Sequence, residues 1–181
     1  MRAVKILLMW CVVGAAAPTA SAQDAGRVGL TTGYPAAIGV QWHISERTAI
    51  RPEISFTTNS SSSQSLIGAT SDFSSVGTGV SVLFFSPLRD NLKLYVAPRF
   101  GYSRTSGTTE VSESNTDIYS IGGSFGGHYA LGRRFALFGE AGLQYSHQNG
   151  SIKSSTVSAL KTTSQGDSAS TRTGVGIVIY F

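Results

Sequence analysis

Arg172-Thr173-Gly174-Val175-Gly176-Ile177-Val178-Ile179-Tyr180-Phe181 ends the chain. Val175, Ile177, Ile179 and Phe181 fall on one face at a period of two. Arg172, Gly174, Gly176, Val178 and Tyr180 fall on the other, which is the alternation of a β-strand and not of a helix. The first face is apolar throughout and finishes on an aromatic ring. Such a strand needs partners, and the remainder of the chain reads as a series of them.

Before that series comes a different kind of segment. Arg2 and Lys5 precede an apolar run from Ile6 to Ala17, and Ala20-Ser21-Ala22 then gives way to polar Gln23-Asp24. This is the pattern of a secretory signal peptide over residues 1–22, with cleavage expected between Ala22 and Gln23. The apolar run is too short to span a bilayer, which takes roughly 20 residues. Cys11, the single cysteine, lies within this leader, so the exported chain is expected to carry neither a disulfide nor a lipid anchor.

Residues 23–181 are one domain's worth. Two of the 14 basic residues sit in the leader and none of the 10 acidic ones does. The residual positive charge is too small to argue for a nucleic-acid partner. Charged residues make up 13% of the chain, against about 25% in ordinary soluble proteins. After the leader there is no apolar run long enough for a helical span. A closed barrel is the other structure that satisfies every backbone group in lipid.

The alternation recurs eight times. Strands are expected over Gly26–Gly33, Ala37–Ile44, Thr48–Thr57, Ser75–Phe85, Leu92–Arg104, Ile118–Ala130, Arg134–His147 and Arg172–Phe181. Pro52 inside the third demands a bulge or an unpaired position. Short turns are expected at 45–47, 87–91 and 132–133. Long loops are expected at Asn59–Asp72, Thr105–Asp117 and Gln148–Ser168, the last with nine Ser or Thr in 21 residues.

On the apolar phase the aromatic residues divide into two sets. Trp42, Phe84, Tyr129, Phe135 and Phe181 lie at the turn ends of their strands, and Phe56, Tyr102, Tyr119 and Tyr145 near the loop ends. Two aromatic girdles bounding an apolar band are what a membrane barrel carries at its interfaces. The other phase holds ten glycines (29, 39, 77, 79, 101, 122, 126, 142, 174 and 176), making room for a few long side chains. Among these Arg51, Glu53, Arg99 and Glu140 are expected to meet near mid-membrane, with Arg172 nearer the loop end. An eight-stranded barrel is just wide enough for side chains to fill, and charges closed inside it must pair. A soluble eight-stranded lipocalin would invert the phases and present the glycine-rich face to water, with too few charges to serve as a soluble surface.

Leader, periodicity, turn-and-loop rhythm and terminal Phe181 together resemble the small eight-stranded outer-membrane barrels of the OmpA/OmpX kind, over about residues 26 to 181. The resemblance implies an all-β, transmembrane, antiparallel up-and-down barrel in the outer membrane of a Gram-negative bacterium. It implies that the turns face the periplasm and the Ser/Thr-rich loops face outward. It further implies that Ile177, Ile179 and Phe181 form the signal read by the barrel-assembly machinery. No wall-tethering role is expected, since no peptidoglycan-binding domain follows the barrel as in full-length OmpA-type proteins. The expected partners are outer-membrane lipid and lipopolysaccharide, and the protein is expected to be a monomer.

The functional reading is a structural or surface-interacting barrel acting through its outer loops on an unidentified extracellular ligand. A narrow solute channel is the alternative. A lipid-modifying enzyme stands behind both, because one eight-stranded relative is a lipid A deacylase using His, a Ser two residues on, and an acidic partner. Here His128 and Glu140 are candidates, but Ala130 occupies the nucleophile position and His128 points into the lumen. His43 and His147 lack ligand spacing, so neither metal nor cofactor is expected.

Overall fold

The computed structural model describes residues 25–35, 37–63, 69–109, 112–154 and 161–181. The expected leader and its cleavage point at Ala22 and Gln23 lie outside the described residues. Eight strands follow in order: β1 (Val28–Tyr34), β2 (Ala37–His43), β3 (Thr48–Ser63), β4 (Ala69–Arg89), β5 (Leu92–Thr109), β6 (Ser112–Ala130), β7 (Phe135–Ser154) and β8 (Lys161–Tyr180). Each pairs antiparallel with the next, and β8 pairs with β1, closing the barrel. The closing seam runs from Gly29 opposite Tyr180 to Tyr34 opposite Val175, and the Phe181 amide donates to the Val28 carbonyl at 3.1 Å.

Following the ladder from Ile177 through Thr32, Ile38, Ile54, Thr78, Tyr102, Tyr119 and His147 returns to β8 at Asp167, ten residues from the start. With about 3.3 Å per residue and about 4.8 Å between strands, a shear of ten tilts the strands by about 40°. Each residue along a strand then rises about 2.5 Å along the axis, and each step round the ladder about 3 Å. On that scale Trp42, Phe84, Tyr129, Phe135 and Phe181 fall in one ring, and Phe56, Tyr102, Tyr119 and Tyr145 in another about 22 Å above it.

The alternation places its apolar phase on the outside of every strand. Ile38, Val96, Phe100, Phe125, Leu143 and Val175 are all exposed between the two rings. A water-soluble barrel would bury this set, so the lipocalin arrangement is excluded. The first outward charged groups, Arg104, Asp117 and Asp167, come about 4 to 9 Å above the upper ring. The buried set is mixed: Ala49, Leu83, Phe85, Tyr95 and Ala97 form one cluster, Ala136, Val178 and Tyr180 another, and Arg51, Gln41, His43 and Glu140 are buried among them.

Two expectations need correction. The segments read as long loops at 59–72, 105–117 and 148–168 are largely strand. β3 and β4 stay paired to Ser63–Ala69, β5 and β6 to Thr109–Ser112, and β7 and β8 to Lys153–Lys161. The hairpins also pair with one another up to Ser71–Thr109 and Ser112–Ser154. Six strands therefore continue as one curved sheet about 20 Å beyond the upper ring. Apolar alternation cannot report a sheet that is wet on both faces. Serine and threonine hold it by cross-strand bonds such as Thr105 Oγ1 to Ser75 Oγ (3.2 Å) and Ser106 Oγ to Asn115 Oδ1 (2.9 Å). Secondly, the turn expected over 87–91 contracts to two residues, because β4 continues to Arg89 through a register shift between Pro87 and Arg89.

Pro52 and Pro98 sit where a ladder is interrupted, as Pro87 sits at the β4 register shift. The β2–β3 pairing skips from Glu53 to Ile50, and the β4–β5 pairing from Arg99 to Val96, passing over Pro52 and Pro98. A residue without an N–H is tolerated at such places.

Candidate functional site

β3 and β7 stand four places apart in a ring of eight, so inward residues at one level of the two strands face each other across the full lumen. Arg51 on β3 and Glu140 on β7 do so, with Nη2 to Oε2 at 2.6 Å. The other Glu140 oxygen accepts from Arg99 Nη2 on β5 at 2.9 Å. Tyr95 donates its hydroxyl to Oε2 at 2.9 Å. Glu53 completes the set, 3.2 Å from Arg51 Nε and 2.9 Å from Arg99 Nη1. Arg172, on β8, is the outlying member, with Nε 3.9 Å from Glu140 Oε1. The five residues expected to form the lumen charge network are thus brought together, with Arg172 on the side of the upper rim.

Glycine makes this crossing possible. Gly126 lies opposite Glu140 on the ladder, and a Cβ there would sit 2.5 Å from Tyr95 Cζ. Only a bare backbone leaves Tyr95 its path to the carboxylate. Arg51 is fully buried, and its guanidinium also lies over the Phe138 ring at 4.9 Å. Desolvating one guanidinium without its carboxylate costs several kcal/mol, so the pairing is a condition of filling the lumen with charge at all.

Below the charges is a second polar cluster that the periodicity did not single out. The Tyr180 hydroxyl lies 2.9 Å from Gln41 Nε2, 3.1 Å from His43 Nε2 and 3.0 Å from His128 Nε2. Arg27 lies over the Tyr180 ring at 4.0 Å, and Phe85 contacts His43, Tyr95 and His128. The sequence signal was two bulky tyrosines, 95 and 180, on a phase otherwise rich in glycine. His128 belongs to this aromatic floor, while the Glu140 oxygens are taken by Arg51, Arg99 and Tyr95. The structure does not bring the two into a catalytic pair with a nucleophile. Among the described residues no group of three or more His, Cys, Asp or Glu gathers.

Above the charges most inward positions are small, among them Gly77, Gly79, Gly101, Gly122 and Gly142, with Ser55, Ser103 and Ser120, while Gln144 opposite Gly122 is a longer one. The upper aromatic ring is joined by polar contacts. Tyr102 and Tyr119 are direct cross-strand partners with ring centroids 5.1 Å apart, and Tyr102 donates to Asp117 Oδ1 at 2.7 Å. His147 Nδ1 lies 2.7 Å from Asp167 Oδ1 above that ring, and hydrogen bonds from His147 and Tyr145 hold the Asp167 carboxyl below its usual range. Ile177 and Ile179 face outward on β8 beside Leu137 and Phe135 of β7, and Phe181 is the most exposed large apolar residue of the lower ring.

No protein-family model matches the sequence, and neither does any curated protein. Solved structures do match by shape. A major outer membrane protein from Thermus thermophilus superposes with a TM-score of 0.60 at 13% identity, covering 86% of this chain and 98% of that one. CarO from Acinetobacter baumannii matches with a TM-score of 0.43 at 12% identity over 87% of this chain and 98% of its own. CarO2 of the same organism gives 0.41 at 11% identity over 86% and 97%. The first likeness shows the fold, an eight-stranded closed antiparallel barrel shared with an outer-membrane protein.

Proposed function

We propose that this chain is an outer-membrane barrel whose lumen is closed by charged side chains and whose outer sheet is its working surface. The observation that carries the closed lumen is the Arg51–Glu140 pair spanning opposite walls, flanked by Arg99, Glu53 and Tyr95. Beneath it the Tyr180 cluster adds a second layer. Membrane residence is supported by the exposed apolar belt, its two aromatic rings and the charges that begin just above the upper one.

The polar six-stranded sheet then stands outside the cell. Unlike a set of free loops, it offers a fixed array of Ser, Thr and Asn side chains to an extracellular partner, which favours a surface-interaction role over a purely structural one. Lipopolysaccharide and outer-leaflet lipid surround the belt, the barrel-assembly machinery acts on the β8 end, and the protein works as a monomer. A narrow solute channel is the second reading, favoured by the glycine- and serine-lined upper lumen. No catalytic role is proposed for His128.

Conductance of the purified protein in a planar bilayer separates the two readings. The plugged barrel gives no steady unitary current, and a reproducible open level in wild type would establish the channel in its place.

A further inference from the structure

The β1–β2 hairpin is shorter than the six strands beside it. β2 pairs with β3 only up to Ile38–Ile54, and β1 with β8 only up to Tyr34–Val175. β3 continues to Ser63 and β8 begins at Lys161, so beyond those pairs, among the described residues, each has one edge without a strand beside it. The two edges are three strand spacings apart, about 14 Å. On the axial scale the hairpin tip lies about 8 Å below the upper aromatic ring. The barrel wall is therefore notched within the depth assigned to the outer leaflet, where lipid leaves backbone polar groups unsatisfied unless something polar fills the gap.

The notch opens on a shallow cleft lined by Thr31, Tyr34, Glu53, Glu140 and Arg172 among others. The lumen network holds three guanidiniums, of Arg51, Arg99 and Arg172, against two carboxylates, of Glu53 and Glu140. The surplus positive charge rests with Arg172. Its Nε is buried without a hydrogen bond, its nearest carboxylate oxygen is at 3.9 Å, and 27% of its side chain is open. We infer that this notch is a binding site for the phosphate-bearing headgroup of an outer-leaflet amphiphile, with Arg172 as the anchor and the acyl chains lying along the apolar belt. A partly open guanidinium suits phosphate oxygens, and the headgroup's remaining oxygens offer acceptors to the open strand edges.

This inference rests on the membrane reading above, and its test is made in detergent so that the two can fail separately. Calorimetric titration with a short-chain phosphatidate should give saturable one-to-one binding, weakened at least about tenfold by Arg172→Gln and within about threefold of wild type in Arg172→Lys. Wild-type protein supplies a further readout, because modification of Arg172 by phenylglyoxal should be slowed by the phosphatidate and not by the diacylglycerol with the same chains. Equal affinity for inorganic phosphate would overturn the amphiphile as ligand. Unchanged binding in Arg172→Gln, or unprotected Arg172 in wild type, would overturn the site itself, even with normal outer-membrane fractionation.

Discussion

Arg51 and Glu140 lie 89 residues apart in sequence, on strands facing each other across the barrel, and join at 2.6 Å between Nη2 and Oε2. A contact across the diameter ties the two halves of the wall together in a way that no neighbouring-strand pair can. Its loss is therefore felt by the barrel as a whole.

Glu140→Ala should strip Arg51 and Arg99 of their shared carboxylate and lower unfolding stability by roughly 3–5 kcal/mol, the cost of breaking a buried pair from one side. Replacing Arg99 by Met in the same chain should recover part of that loss, because one orphaned charge goes with it. Urea unfolding of the two single variants and the double variant measures the coupling. Additive effects within about 0.3 kcal/mol would show that the charges do not act as one network.

Gly126 and Gly123 give a matched pair of tests. A Cβ at 126 meets Tyr95 Cζ at 2.5 Å, whereas one at 123 meets nothing within 4 Å. Gly126→Ala should cost on the order of 1–3 kcal/mol by displacing the Tyr95 ring from Glu140. Gly123→Ala, facing outward, should be close to neutral. Equal stability of the two variants in the same unfolding assay would contradict the packing around Tyr95.

Hydrogen exchange distinguishes a projecting sheet from free loops. Backbone amides of 103–109 and 112–118 sit between paired strands on both sides and should be protected by orders of magnitude. On β3 beyond Ile54 and on β8 before Val175, only amides turned toward β4 or β7 should be slow, an alternating pattern that marks an open edge. Uniformly fast exchange through 103–118 would return these segments to loops.

Removing Phe181 should reduce the amount of heat-modifiable barrel in the outer membrane several-fold while leaving synthesis unchanged. The residue closes the lower aromatic ring and donates its amide to Val28 across the seam. Normal levels and normal migration of the shortened chain would count against an assembly role for the Ile177, Ile179 and Phe181 face.

Mass spectrometry of the outer-membrane form should find Gln23, or its cyclised form, at the amino terminus. A chain still carrying residues 1–22 would refute the export signal.

Local sequence determined which side chain faces which way. With a period of two, one correctly read residue phases its whole strand, so Arg51, Glu53, Arg99, Glu140 and Arg172 were legible as inward and the nine ring aromatics as outward before any pairing was known. What lay beyond reach was register, because it depends on how eight strands slide against one another. Only the ten-residue shear decides that Glu140 meets Arg51 across the lumen, that Tyr180 gathers Gln41, His43 and His128, and that the β1–β2 hairpin stops below the upper aromatic ring. The same limit hid the outer sheet. Its serines and threonines are polar on both faces, so neighbouring strands and not burial hold them extended, and only the tertiary structure supplies those neighbours.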